Sequence, residues 1–398
     1  MTVVHPIARA WISTGGTGAR NYDEFADDAE ITEIVAANPD SALAIEMPHR
    51  APANVGQSFA SALPEAAGRL AAQKDAGSYA PAEDVVALYR ISDPHSVAYG
   101  MFAMVDTDQI STSADEPGLV IRNEDVFIEK VRERVALAEA TGHLLSPVLL
   151  LQTGRGDELH AAIEAAIDAA GAPAVTDIDH VGRTHAIWPL SASTAAPLLE
   201  VAGGGELVVA DGNHRSLAAQ TGGLHRFLAV ITTPASVAIQ PYHRLLSELP
   251  IPLDELLAKL GSLGCAVAPS TSAGIPPQGV ITLYAAGQAF DVSLPAVAGT
   301  SVVDGMDHAR VEDIVLRSAL GLEPGDKRIT YVGGDYPPAW LLGEVDAGRA
   351  ELAILIAPVT VDEFVDVNLA RQKMPRKSTW FTPKARGGLV LADLAAES

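Results

Sequence analysis

The stretch Glu206–Gly223, ELVVADGNHRSLAAQTGG, constrains the chain more than any other. Leu207–Ala210 is a short apolar run that reads as a buried strand. Asp211-Gly212-Asn213 breaks it, Ser216–Gln220 suits a helix, and Gly222-Gly223 stops it. Asp211, Asn213, His214 and Arg215 therefore sit where a strand turns into a helix. Helix N-termini carry unpaired N–H groups and a positive dipole end, so they attract anions. Gly212 lacks a Cβ and lets the backbone approach a ligand. His214 and Arg215 add side-chain donors. The stretch reads as a phosphate-binding turn; the alternative is a capped helix with exposed polar residues.

The chain has 398 residues, room for two domains or one large two-lobed one. A formal net charge of −23 repels nucleic-acid backbones and anionic membranes, so neither is an expected partner. Cys265 is the single cysteine, which excludes an intrachain disulfide and fits a reducing cytoplasm. No secretory leader is expected from MTVVHPIARAWIS, and runs such as Leu352–Val359 are too short to span a bilayer. The oligomeric state is not legible.

In chain order, Gly15–Arg20 is a glycine-rich loop without the Gly-Lys-Ser/Thr of a P-loop. Tyr22–Asn38 is helical in pattern, Ala42–Met47 reads as a strand, and Val55–Ala76 as a helix interrupted at Pro64. Asp84–Ile91, Ser96–Val105 and Gly118–Arg122 read as strands. Asn123 reads as the N-cap of a helix reaching Thr141, with Glu124 and Asp125 in its first turn and Gly142 at its end. Pro147–Leu151 is a strand, Asp157–Ala170 an amphipathic helix, Thr176–Leu190 a hairpin, and Phe227–Thr232 a strand. Asp177, Asp179 and His180 cluster without a known metal-ligand spacing, so a turn competes with a metal site there.

Composition turns proline-rich after Ser247–Pro250, which places a boundary between lobes at 1–248 and 249–398. Beyond it, helix Leu253–Leu263 and a hairpin at Val280–Tyr284 and Ala289–Leu294 are followed by alternating elements. These are helix Ala309–Leu320, strand Ile329–Val332, helix Ala339–Asp346, strand Leu352–Ile356 and helix Val361–Ala370. That alternation indicates an α/β lobe, and the class expected for the chain is α/β (α+β). Three His-Arg pairs, His214-Arg215, His225-Arg226 and His243-Arg244, together suggest a positive pocket. The segment Arg371–Arg386, RQKMPRKSTWFTPKAR, has six Lys/Arg and no acid. Lys377, Ser378 and Thr379 are a good set for phosphate oxygens, and a basic surface tail is the alternative.

Four stretches, in order, resemble the prokaryotic family known as domain of unknown function 1015. They are Tyr22-Asp23 with Asn38-Pro39; Arg122-Asn123-Glu124 through Arg134 to Ser146-Pro147; Ala210–Arg215; and Met374–Thr379 with Phe381, Pro383-Lys384 and Gly388-Leu389. Pro241–Leu245 also fits. The chain departs from the family pattern in having Arg20-Asn21 in place of Pro-Pro, and Asn123 and Asn213 in place of histidines. Asparagine can replace a neutral histidine in a hydrogen bond but cannot take a proton.

The Asp-Gly-X-His-Arg turn is also similar to that of the ParB/sulfiredoxin group, which includes nucleotide-dependent free-serine kinases. This likeness implies a ParB/sulfiredoxin-like N-terminal lobe with a second, smaller α/β lobe, the basic segment 371–386 returning to the site. It implies ATP or ADP with Mg²⁺, the phosphates lying on Gly212, Asn213, His214 and Arg215, with Arg122, Lys377, Ser378 and Thr379 around them. Asp23, Arg134, His243 and Arg244 are the expected substrate-binding residues. Glu124, Asp211 and His214 are the catalytic candidates, and either carboxylate would serve as the base. The expected activity is a small-molecule kinase acting on a hydroxyl metabolite such as free serine. The alternatives are a non-catalytic nucleotide-binding regulator and a phospho-metabolite hydrolase.

Overall fold

Two long apolar segments, Tyr79–Ser92 and Val97–Asp106, pair antiparallel and form the spine of the first sheet. Asp93 makes the turn between them: its carboxylate accepts the N–H groups of His95 and Ser96 at 2.8 Å each, a side-chain substitute for a backbone turn bond. In the computed structural model, which describes residues 2–25, 27–111, 118–122, 124, 126–296 and 301–397, the chain divides into two compact units. The first is Met1–Val237 with Pro383–Ser398, the second Ala238–Thr382.

The first unit is built on one large mixed sheet. Its strands run in the order Val120–Ile121, Leu207–Asp211, Val148–Gln152, Arg226–Thr232, Val97–Asp106, Tyr79–Ser92, Ile7–Ser13 and Val390–Asp393. Thr184–Ser191 adds antiparallel to Tyr79–Ser92 and pairs with Val175–Ile178, the expected hairpin. The helices Gly156–Ala170 and Ala192–Ala202 bury Leu159, Ile163, Ile167 and Leu198 in a core with Val86, Leu88, Val209 and Ile231. A smaller core gathers Tyr22, Ile31, Val35 and Leu43.

Two local expectations change. Ala42–Glu46 is a helix rather than a strand; Ser41 caps it by accepting the Leu43 N–H at 3.2 Å, and all five residues are buried. A short apolar run without alternation fits either state, and here the cap decides. The helix expected to follow Asn123 begins at Ile128. Phe127 is its N-cap, with no capping side chain, and Glu129 occupies the first turn. Asn123 and Asp125 lie outside the described residues. The helix ends as expected, with Gly142 left-handed at φ +66°.

The second unit holds a six-stranded antiparallel sheet in the order Ala266–Pro269, Gln288–Ser293, Val280–Ala285, Leu352–Ile356, His243–Leu246 and Ile329–Val332. Helices and strands alternate along this part of the chain, but alternation does not set strand direction. His243–Leu246 pairs with Ile329–Val332 and Leu352–Ile356, so the division falls after Val237 rather than after Glu248. The proline-rich residues near 250 join elements within the second unit. The last strand, Val390–Asp393, pairs with Ile7–Ser13 in the first.

Candidate functional site

The Leu207–Asp211 strand lies between Val148–Gln152, antiparallel to it, and Val120–Ile121, parallel to it. Its register shifts between Val209 and Asp211, an irregularity of the kind that re-aims the side chain beyond it. Gly212 then takes φ +94°, a backbone that favours glycine. A Cβ there would lie 3.1 Å from Arg215 Nε and 3.2 Å from Val148 Cα. The close approach that needs this glycine is therefore internal, made by the Arg215 side chain and the neighbouring strand. The helix Asn213–Thr221 follows with no capping side chain, and the first N–H groups of a helix have no partner within it.

Asp211 is gripped by two cations. Lys384 Nζ donates to Oδ1 at 2.8 Å, and Arg215 Nη2 donates to Oδ2 at 2.5 Å. Burial opposes its ionisation, but Lys384 and then Arg215 outweigh burial and hold the carboxyl below its usual range. Burial likewise opposes the charge on Lys384, and Asp211, Glu24 and Asp23 together raise its pKa above the ordinary lysine value. Arg215 is only 9% exposed. Its Nη1 donates to Asn21 Oδ1 at 3.1 Å and to the Pro147 carbonyl. Sequence reasoning made Arg215 a side-chain donor at the turn; its side chain is buried, and its Nη groups tie the turn to Asp211, the Asn21 loop and Pro147.

His214 is also internal. Its Nε2 accepts the Phe127 N–H at 3.1 Å, and the two rings lie nearly parallel, 8° apart with centroids at 6.2 Å. A ring nitrogen that accepts a hydrogen bond carries no proton, so the imidazole is neutral and adds no cation to the turn. Arg122 leaves the Val120–Ile121 strand with its N–H on the Ser111 carbonyl at 2.9 Å. Glu124 is half-buried in the segment that leads to Phe127.

Residues from three of the stretches that carried the family likeness, around Tyr22, Arg134 and Lys384, lie beside this turn within the first unit. Asn21 donates to Glu24 through its backbone and its side chain, at 2.9 and 2.7 Å. Burial pushes the Glu24 carboxyl up, against Lys384 and Arg386. Asp23 lies close enough to raise the pKa of Arg215 and of Lys384. Arg134 stacks its guanidinium over the Tyr22 ring at 4.1 Å, and its Nη2 donates to the Glu46 carbonyl at 3.3 Å. Tyr22, Glu46, Arg134, Ser146 and Arg215 line one end of a cavity with about 680 Å³ of empty space, part of it open to solvent.

Of the residues expected at the site, Lys377, Ser378, Thr379, His243 and Arg244 fall in the second unit. Lys377 adopts φ +50°, and its ammonium lies 5.7 Å above the Tyr242 ring. Ser378 is buried, and Thr379 is half-buried. Arg244 is 0% exposed; it donates to the carbonyls of Tyr242, His243, Arg376 and Lys377 and pairs with Glu312 at 3.3 Å. His243 Nδ1 accepts the Ile356 N–H at 3.1 Å. These two hold the second sheet and its neighbouring loop together. Of the three His-Arg pairs, the remaining arginine, Arg226, pairs with Asp106 at 3.2 Å.

Burial and then Arg244 lower the His243 pKa to about 4. A histidine unfolds to an ordinary value near 6.5. Its contribution to stability is therefore complete above about pH 6.5 and is lost as pH falls through about 4, to a total on the order of 3 kcal/mol. His308, fully buried, is depressed in the same direction by burial and Arg244. Urea unfolding of the second unit within the full chain, at about pH 7 and about pH 4.5, is expected to show this loss, and His243→Gln to reduce it. A pH-independent transition over that window would contradict it.

Among the described residues, no three His, Cys, Asp or Glu side chains form a metal cluster. Asp179 is taken by His185 and Arg386, each at 3.2 Å, and Asp177 accepts the Gly18 N–H at 3.1 Å. Both Asp211 oxygens are held by cations. Asp211, so held, is a poor ligand for a resident Mg²⁺.

Lys384, Asn21, Glu24 and Glu46 were not singled out as site residues by sequence reasoning. The signals for Lys384 were the basic composition of 371–386 and the place of Pro383-Lys384 in the family likeness.

Residues 17–308 match the family model described as a protein of unknown function, DUF1015. This chain belongs to the DUF1015 family. The matched span of this DUF1015 protein includes Tyr22, Asp23, Arg134 and Asp211–Arg215 and ends before Lys384. No curated protein matches the sequence significantly. Among solved structures, a free serine kinase in complex with AMP aligns with a TM-score of 0.39 at 12% identity, covering 71% of this chain and 87% of that one. A conserved hypothetical protein from Pyrococcus furiosus gives 0.37 at 12%, over 71% and 90%. SbnI with a C-terminal truncation, from Staphylococcus aureus, gives 0.39 at 13%, over 74% and 88%. Likeness at this level fixes neither a substrate nor a site. No helix among the described residues is long and apolar enough to cross a membrane.

Proposed function

We propose that this DUF1015 protein binds a nucleotide by its phosphates at the Asp211–Arg215 turn and transfers a phosphoryl group to the hydroxyl of a small metabolite such as free serine. The observation that supports this reading is the turn itself. An uncapped nine-residue helix begins beside a carboxylate fixed by two buried cations. Phosphoryl transfer asks for positioning and charge stabilisation more than for covalent chemistry. The N–H groups of Asn213, His214 and Arg215 face the phosphates, and Arg122 adds a guanidinium. Asn213 Oδ1, buried without a partner, is an acceptor and so suits a hydroxyl of the nucleotide or the metabolite rather than a phosphate oxygen. Mg²⁺ enters as part of the metal–nucleotide substrate, in keeping with its habit of binding through phosphates and few carboxylates.

In the transfer, the acceptor oxygen bonds to the terminal phosphorus as the bond to the leaving nucleotide oxygen breaks. The acceptor proton passes to a carboxylate. Asp211 is a poor proton acceptor because two cations hold it ionised, so Glu124 is assigned as base and Asp211 as the anchor of the turn. Asp23 is assigned to binding the acceptor.

ATP or ADP with Mg²⁺ is expected to raise the Tm. A ligand at 100 times its Kd stabilises the folded state by about 2.7 kcal/mol. Mass analysis of a metabolite pool incubated with nucleotide is expected to show one phosphorylated hydroxyl compound. A Tm that does not respond to nucleotide would remove the phosphate-turn reading. A Tm that responds while no metabolite is phosphorylated would replace the kinase by a nucleotide-binding regulator.

A further inference from the structure

Behind the turn, the cavity between the helices Ile128–Thr141 and Asn213–Thr221 has a polar end that includes Tyr22, Glu46 and Arg134 and walls that are mostly apolar, with Glu139 and His143 the polar residues elsewhere in its lining. Three side chains at the polar end are at least nine-tenths buried: Tyr22 is 5%, Glu46 3% and Arg134 7% exposed. Each keeps an unused hydrogen-bonding atom. Arg134 Nε and Nη1, Tyr22 Oη and Glu46 Oε2 are buried and have no partner among the described residues. Buried polar atoms are almost always paired, so four orphans in one place call for a missing partner.

The charge of that partner follows from Arg134. Its Nη2 is spent on the Glu46 carbonyl, and no carboxylate lies within ion-pair distance of it among the described residues. Glu46 is a weak counter-ion: its Oε1 accepts from Ser146 Oγ, and burial pushes its pKa up despite Arg134. A buried guanidinium without an anion is costly. Because the Tyr22 ring covers the guanidinium face, a ligand must approach in the guanidinium plane, where both edges retain an open nitrogen. A planar carboxylate matches that edge. The rest of the ligand meets Val135, Ala138, Ala218, Ala219 and Leu228, walls that offer no hydrogen bonds and favour an aliphatic body.

We infer that this cavity is a binding site for a small aliphatic carboxylic acid, its carboxylate on Arg134 beside Tyr22 and Glu46 and its apolar body against Ala138 and Leu228. The site does not depend on phosphoryl transfer, since it requires a bound acid and no turnover. A hydroxyl on the acid would make it an acceptor only if the kinase reading also holds.

Isovalerate and its uncharged amide, isovaleramide, are the probes, titrated calorimetrically into the full-length protein without nucleotide. Isovalerate is expected to bind at least tenfold more tightly than the amide. Arg134→Lys keeps the charge but loses the planar edge, and is expected to weaken isovalerate at least tenfold. Ala138→Leu fills the apolar end without touching a charge and is expected to abolish binding while the nucleotide-dependent Tm shift, if present, persists. Circular dichroism of both variants checks that they fold. Equal affinity for acid and amide, no heat from isovalerate, or unchanged binding in folded Arg134→Lys and Ala138→Leu would overturn the inference. Failure of nucleotide binding alone would leave it standing.

Discussion

Lys384→Met lowers the stability of the first unit by about 3–5 kcal/mol, the usual loss when one member of a buried ion pair is removed. The side chains of Lys384 and Asp211 are 11% and 17% exposed, and their charged atoms lie 2.8 Å apart. Without the ammonium, Asp211 keeps Arg215 but faces the nearby carboxylates of Asp23 and Glu24 with one cation fewer. Adding Asp211→Asn is expected to restore part of the loss, because a neutral amide no longer needs a counter-ion. Urea unfolding of the two single variants and the double variant isolates the coupling between the residues. A loss below about 1 kcal/mol for Lys384→Met would class the pair with surface ion pairs, which contribute little.

The position of Lys384 also marks the limit of what the sequence discloses. The strand, the turn and the helix at Leu207–Thr221 were legible because their signals are local: an apolar run, a glycine with left-handed backbone, and a helix stopped by glycines. The same holds for Gly142 and for the hairpin Val280–Ala285 with Gln288–Ser293. Lys384 reaches Asp211 across 173 residues, and no local pattern specifies which of six basic residues in the segment does so. Sequence reasoning favoured Lys377, whose two neighbouring hydroxyls gave it a local rationale.

Arg134 did leave a signal. It lies in phase with Val131 and Leu137, the other buried residues of its helix, and a charged residue in an apolar stripe asks what pays for its burial. Glu46 left none that could be read, since it closed a run that looked like a strand. The Ser41 cap, a local bond to the Leu43 N–H, makes that run a helix, and the contact of the Glu46 carboxylate with Ser146, 100 residues away, is the part no local pattern shows. The neutral state of His214 was equally hidden, because it depends on the backbone of Phe127, 87 residues away.

Glu124→Gln is expected to lower kcat by about 10²–10⁴, the usual worth of a general base, with nucleotide affinity unchanged. The assignment follows from what Asp211 is already doing. A carboxylate held by Lys384 and Arg215 is stabilised as the anion, so it has little tendency to accept a proton from a hydroxyl. Asp211→Asn is therefore expected to damage stability and nucleotide binding together, through loss of the anchor, rather than the chemical step alone. Glu124 lies between the Val120–Ile121 strand and Phe127, on the segment whose main chain hydrogen-bonds His214. Lys384 donates to Asp211, and Arg215 to Asp211, Asn21 and Pro147, which leaves Glu124 as the carboxylate proposed for the proton. Glutamine preserves its shape and removes only its proton-accepting charge. Measuring nucleotide Kd by calorimetry and turnover by mass analysis separates the two roles. Turnover at the wild-type rate in Glu124→Gln, with Asp211→Asn folded and inactive, would reverse the assignment. A parallel fall in nucleotide affinity and kcat in Glu124→Gln would make Glu124 a binding residue instead.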